Sequence, residues 1–343
     1  MRVLYICGSL NQTTQLHAVK RATDELGDHD AWFTPYYGDW IVDRMRRLGL
    51  IEMTIGGNKR RGWCLDWLAS RGLKVDLDGK RGGYDLVVTC TDLVVPKNVQ
   101  KYPVLVVQEG ILDPESWISR TCRATPLPNW LAGTTCTGES GLYDRFCVAS
   151  DGYREEFIRR GADPERVVTT GIPNFDDCER YRKNDFPHRG YVLAATSDTR
   201  ETLKSLATPF AARRARFIEK VVRIARERGK QDAIIFKLHP NEDEARERAL
   251  IERLAPGALV FQKGSAEEMI ANCDVLVTQW SSVAFVGLAL GKEVHSNFTH
   301  EELTRLCPQQ NTGKSAANIA RVARAMIGAE MPRPTPQAAS HSW

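Results

Sequence analysis

Short apolar runs rich in β-branched residues alternate along this chain with amphipathic stretches of helical period. That alternation restricts the fold more than any other feature of the sequence. "RVLYIC" (2–7), "YDLVVTC" (84–90), "VLVVQ" (104–108), "FCVAS" (146–150) and "RVVTTG" (166–171) are strand-length and almost wholly apolar, as suits a sheet covered on both faces. Helical patterns separate them, among them "GYREEFIRRG" (152–161), which Gly161 can end with a positive φ. After residue 190 the alternation restarts with "YVLAATS" (191–197), "DAIIFKLH" (232–239), "ALVFQ" (258–262), "DVLVTQ" (274–279) and "EVHSNF" (293–298). Strands that alternate with helices predict parallel sheets joined by right-handed crossovers.

At 343 residues, 42% hydrophobic and 26% charged, the chain has ordinary globular composition and room for two domains. The stretch 173–189, with clustered charge and no periodicity, reads as a linker. The expected fold is α/β, two doubly wound Rossmann-like domains facing a cleft: residues 1–172 and residues 190–330, with a Pro-rich tail at 331–343 expected to be disordered. Thr13 or Thr14 is the expected N-cap of the first helix. A net charge of +4 without a recognised motif argues against a nucleic-acid partner. Nine scattered cysteines with no CxxC pair read as reduced thiols rather than a zinc site. Met1 leads directly into a strand, and no apolar run approaches the ~20 residues needed to span a bilayer. The reading is a cytoplasmic protein, soluble or peripheral at the inner face of the membrane.

In parallel α/β sheets ligands bind outside the carboxyl ends of the strands. In the second half those ends carry Thr196-Ser197, then Lys237, His239 and Pro240, then Gln279, Ser281 and Ser282. Small hydroxyl residues at a helix start offer N–H and O–H donors to an anion, although a serine there also serves as a plain cap. His239 can donate to a phosphate oxygen or pair with a backbone carbonyl, and Lys237 shares its strand face.

The pair "KLHP" (237–240) and "DVLVTQWSSVAFVGLALGKEV" (274–294) resembles the nucleotide-binding half of the GT-B glycosyltransferases. It is most similar to the CDP-glycerol glycerophosphotransferase-like and capsule sugar transferase branch. "VVQEG" (106–110) and "VASDGYREEFIRRGADPERVVTTGIPNFD" (148–176) are similar to strand ends of that branch's first domain. The resemblance covers most of residues 80–300. It implies a transferase that moves a glycosyl or glycerophosphate-type group from a nucleotide-activated sugar or polyol donor to a hydroxyl acceptor, which a lipid can carry, in cell-envelope polysaccharide synthesis. Thr196, Ser197, Arg200, Lys237, His239, Pro240, Gln279, Ser281 and Ser282 would then bind the donor, with no metal and no cofactor. The chain departs from the branch in two respects: Ala284 and Phe285 follow the serines where an acidic residue is usual, and Glu109 replaces a histidine. Non-hydrolysing UDP-N-acetylglucosamine 2-epimerases share the architecture and are the alternative. Their phosphate loop reads like "DSGGxQEE", whose glycine pair and acidic pair are both missing from "TQWSSVAF" (278–285), so the transferase is preferred. A non-catalytic nucleotide-binding module is the further alternative.

A general base would have to come from the first half. Glu109, directly after "VLVVQ", is the first candidate, Asp92 the second and His17 a further one; His239, on the donor side, is a separate catalytic candidate that could donate to the leaving group. Gly8 and Ser9, in the first strand-to-helix turn, would let an acceptor approach the backbone. The stretch 40–68 mixes tryptophans, leucines and six Arg/Lys residues. It reads either as a helix pair packing inward or as a basic amphipathic surface for peripheral contact with anionic lipid.

Overall fold

The computed structural model describes residues 1–52, 54–112, 117–125, 135–197, 210–240 and 242–328. The chain forms two compact units, Met1–Asp176 together with Pro308–Trp343, and Asp177–Cys307.

In the first unit the elements run β1 (Arg2–Cys7), α1 (Leu10–Glu25), β2 (Asp30–Pro35), α2 (Trp40–Arg47), α3 (Asn58–Ala69), β3 (Leu86–Thr89), β4 (Val104–Val107), α4 (Trp117–Ala124), β5 (Arg145–Val148), α5 (Asp151–Arg159) and β6 (Val167–Thr169). The strands form one parallel sheet in the order β2-β1-β3-β4-β5-β6. β3 and β4 are buried along their whole length, as their unbroken apolar character requires. The strand order reverses between β1 and β3, so the carboxyl ends of those strands flank this sheet's crevice. Ser9, not Thr13 or Thr14, caps α1. Its backbone is still extended and its hydroxyl accepts the Gln12 amide at 3.1 Å, whereas the Thr13 hydroxyl turns back onto the Ser9 carbonyl.

The second unit runs β7 (Val192–Ala195), α6 (Phe210–Glu227), β8 (Ile234–Lys237), α7 (Glu244–Leu254), β9 (Leu259–Phe261), α8 (Ala266–Asn272), β10 (Val275–Val277), α9 (Val283–Ala289), β11 (Glu293–His295) and α10 (His300–Leu306). Its parallel sheet has the order β11-β10-β7-β8-β9, with the reversal between β7 and β10. Val192 and Ala194 of β7, Phe236 of β8 and Val277 of β10 pack against Phe217, Ile218 and Val221 of α6 to form its core.

The last helix, α11 (Ser315–Gly328), belongs to the first unit, whereas the sequence reading grouped residues up to 330 with the second. Asp176 is the reason. Its two carboxylate oxygens accept the Asn311 and Ser315 amides, each at 2.6 Å, and so cap the approach to α11. Gly171 (φ +71°) makes room beside them, because a Cβ there would lie 2.2 Å from the Ser315 hydroxyl. Arg324 of α11 then donates to the Gly27 carbonyl just past α1. The tail at 331–343 lies outside the described residues.

Eight of the nine free cysteines are buried. Among the described residues no helix is long and apolar enough to cross a membrane, and no cluster of three His, Cys, Asp or Glu side chains could hold a metal ion. The stretch 40–68 is a helix pair in part only: α3 buries Cys64 and Leu68, but α2 buries none of its residues.

Candidate functional site

In the second unit the polar strand ends gather at the sheet's reversal point. The Thr278 hydroxyl donates to the Ala195 carbonyl at 2.9 Å and ties the end of β10 to the end of β7. Beyond that tie, Ser197 Oγ follows β7 and Gln279 Oε1 follows β10. Both atoms are buried, and neither has a hydrogen-bond partner among the described residues. A buried polar atom left unpaired costs about 1–3 kcal/mol, so two of them past adjacent strands mark a place where a ligand could supply the partners. Ser281 and Ser282 stand next in the chain, both half-buried. Ser281 Oγ reaches the Val283 amide only at 3.5 Å, and the Ser282 hydroxyl makes no capping bond to α9. The plain capping role is therefore weak for Ser281 and missing for Ser282. Trp280, to which the sequence reading gave no role, is half exposed beside them and meets Phe298 edge-on at 4.4 Å.

At the end of β8 the side chains are more committed than the sequence suggests. Lys237 is buried and donates to the Gln262 carbonyl at 2.6 Å, and burial lowers the pKa of its ammonium. It therefore braces the end of β9 rather than facing a ligand. The Thr196 hydroxyl donates to Glu242, whose carboxylate also accepts the His239 amide at 2.9 Å. Glu242 is paired in turn with Arg214, which meets Glu247 at 3.0 Å. This buried network holds the His239-Pro240 turn against the end of β7. His239 is half-buried and Pro240 exposed, while Arg200 lies outside the described residues; Asp243 caps α7. Neither Arg214 nor Glu242 was legible as a site support. Arg214 is one arginine among several on its helix, and nothing local distinguishes it.

In the first unit the structure brings three predicted residues together. Glu109, just past β4, accepts the Ser9 hydroxyl on Oε1 at 2.9 Å and the Gln12 amide group on Oε2 at 2.5 Å. Gln12 Oε1 also accepts the Gly8 amide at 2.7 Å, and a Cβ on Gly8 would collide with that oxygen at 2.4 Å. Glycine is therefore required at position 8 for the turn to close on Gln12. The missed residue, Gln12, had a signal: it begins the buried face of α1, where Leu16 and Val19 follow at helical spacing and an apolar residue would be ordinary. Asp92 differs from its expected role as a second base. It is wholly buried, its carboxylate accepts the Gly138 amide at 2.9 Å and the Ser140 amide at 3.2 Å, and burial raises its pKa. It organises a loop. His17 packs edge-on against Trp67, and burial, then Lys20, lowers its pKa.

An open cavity of about 820 Å³, lined in part by Met1, Lys20, Asp24, His29 and Lys74, lies at the opposite end of the first sheet, where β1 and β2 begin. Four of its charged side chains are paired with one another, Lys20 with Asp24 at 2.7 Å and Lys74 with Asp30 at 2.8 Å.

No protein-family model matches the sequence, and no curated protein matches it. Solved structures do match. The UDP-GlcNAc 2-epimerase of Neisseria meningitidis, solved with UDP-GlcNAc bound, is 10% identical, with a TM-score of 0.56 over 95% of this chain and 99% of its own. That of Methanocaldococcus jannaschii is 13% identical, with a TM-score of 0.55 over 95% of this chain and 100% of its own. The S. aureus MnaA–UDP structure is 12% identical, with a TM-score of 0.57 over 96% and 88%. The two parallel-sheet Rossmann-like domains therefore have the GT-B fold, as the sequence resemblance implied. The transferase reading is overturned: UDP-GlcNAc 2-epimerases stand among these neighbours, which favours the alternative, and the CDP-glycerol branch gains no support from them.

Proposed function

We propose that this chain is a nucleotide-sugar 2-epimerase-like enzyme, which binds a UDP-sugar through its second unit and inverts the carbon next to the phosphate-bearing one. The observation that carries the reading is the likeness to UDP-GlcNAc 2-epimerases along nearly the whole chain. The unpartnered atoms at the reversal point of the second sheet support it independently. A diphosphate placed there would accept from the Ser197, Ser281 and Ser282 hydroxyls, with the His239 imidazole as a further donor. The Gln279 carbonyl oxygen is an acceptor and takes a hydroxyl of the sugar or ribose. Trp280 offers an aromatic face beside the serines for the nucleobase. The family's glycine pair is replaced by Ser281-Ser282, which supply hydroxyl donors in its place.

Inversion at that carbon balances if the electron pair left by removal of its proton forms a double bond to the anomeric carbon as the diphosphate departs, after which a proton returns to the opposite face and the diphosphate adds back. Glu109 is the proposed base. Ser9 and Gln12 each hold one of its oxygens, which fixes the carboxylate plane and leaves lone pairs to accept a proton.

Incubation with UDP-GlcNAc in D2O, followed by proton NMR, tests the proposal. The expected result is loss of the sugar H2 signal together with appearance of the C2 epimer. Retention of H2 with no epimer, under conditions where calorimetry shows UDP bound, would remove the epimerase assignment. Absence of UDP binding would remove the site as well.

A further inference from the structure

The first unit carries a surface that the nucleotide-sugar reading does not use. α2 buries none of its residues, and it presents large apolar groups outward: Trp40 is 71% exposed, Leu48 63% and Leu50, just beyond the helix, 67%. Helical spacing sets Trp40, Arg44 and Leu48 in line along one face, with Ile41 beside them. α3 continues this surface. Asn58 at its start accepts from Arg46 at 2.8 Å and donates to the Arg46 carbonyl at 3.1 Å, pinning it to the end of α2. From there Trp63 is also exposed, with the Lys59 ammonium 5.0 Å from its ring centre. Single exposed apolar residues are ordinary on a protein surface, whereas a contiguous group marks an interface.

The charges choose the occupant. Asp43 is paired with Arg46 and Arg47, and Glu52 accepts the Asn58 and Lys59 amides, so both carboxylates are already engaged within the protein. Arg44, on the apolar face, forms no ion pair among the described residues. Asp66, one turn past Trp63, is the acidic exception. Tryptophans and leucines bordered by arginine and lysine suit the headgroup boundary of an anionic bilayer, where rings sit at headgroup depth and cations meet lipid phosphates. A second copy docking by the same face would bring the two Arg44 side chains to one self-complementary interface, where they repel.

We infer that the exposed face of α2, extended by Trp63 and Lys59, is a peripheral docking surface for anionic lipid. The test is co-sedimentation of the full chain with vesicles of phosphatidylglycerol and phosphatidylcholine in equal parts, against phosphatidylcholine alone. The wild type is expected to sediment with the mixed vesicles only. Arg44→Glu should lower the vesicle partition coefficient by on the order of tenfold, and Trp40→Ser with Leu48→Ser should abolish binding. All these positions are exposed, and unchanged thermal melts will confirm that the variants fold. Failure of the wild type to sediment overturns the inference, as does sedimentation that the variants leave unchanged. Sedimentation velocity without lipid supplies a further arm: a dimer that the Trp40→Ser, Leu48→Ser protein cannot form would assign the face to a second copy instead.

Discussion

Replacing Arg214 with methionine gives the sharpest test of the support beneath the proposed phosphate site. The Arg214 side chain is 1% exposed, and its partners Glu242 and Glu247 are 4% and 2% exposed. Arg214→Met leaves two carboxylates buried without their shared cation. Removing one partner of a buried ion pair costs about 3–5 kcal/mol, and methionine recovers little of this because it fills space without donating a hydrogen bond. For a unit of this size the corresponding drop in Tm is on the order of 10 °C. Melts followed by circular dichroism should show this loss, with the far-ultraviolet spectrum of the folded variant unchanged. A loss below about 1 kcal/mol would refute the account of this network.

Other outcomes are equally checkable. Gln12→Leu removes the bond to Glu109 Oε2 and strands the Gly8 amide, so H2 exchange should slow about tenfold while UDP affinity measured by calorimetry stays the same; an unchanged rate would exclude Gln12 from holding the base. Gln279→Leu replaces an unsatisfied buried oxygen, and should raise the Tm of the unliganded protein while weakening UDP-sugar binding about tenfold; a variant altered in neither respect would show that the orphaned atom has no ligand role. Glu156 is held down to about 2, first by hydrogen bonding to Arg159 and then also by Arg160. Its folded pKa is depressed, so its contribution is complete above the unfolded value and is lost as pH falls through about 2. Glu156→Gln should therefore cost about 1–2 kcal/mol near neutral pH and almost nothing near pH 2; an equal cost at both would refute the pairing.

Strand β2 was missed because "DAWFTP" mixes polar and apolar residues and ends in proline. The other ten of the eleven described strands were legible as short apolar runs, although β9 and β11 are buried only in part. Their carboxyl ends then followed, and with them Ser197, Gln279 and the serine pair. Glu109, Gly8 and Ser9 were each singled out, but their meeting was not, since β3 lies between β1 and β4 and the side chains of Glu109, Ser9 and Gln12 bridge the gap. Other long-range polar bonds were not legible either. Asp176 reaches the Asn311 amide across 135 residues, and an apolar helical stripe says that α11 must pack without saying on which sheet. Lys237 looked like a phosphate ligand because alternation puts it near His239, yet the Gln262 carbonyl claims its ammonium. The reaction class was misread for a chemical reason: hydroxyls and amides that hold a diphosphate do so equally for transfer and for epimerisation, so a phosphate-loop pattern separates the two poorly.

The path of the chain around Asp176 bears on how the protein is made. The second unit is threaded into the first as an insertion, and the opening 176 residues lack their closing helix until translation has passed residue 328. On a ribosome the inserted unit can finish before its host, and a truncation near the carboxyl terminus would be felt first around the amino-terminal sheet.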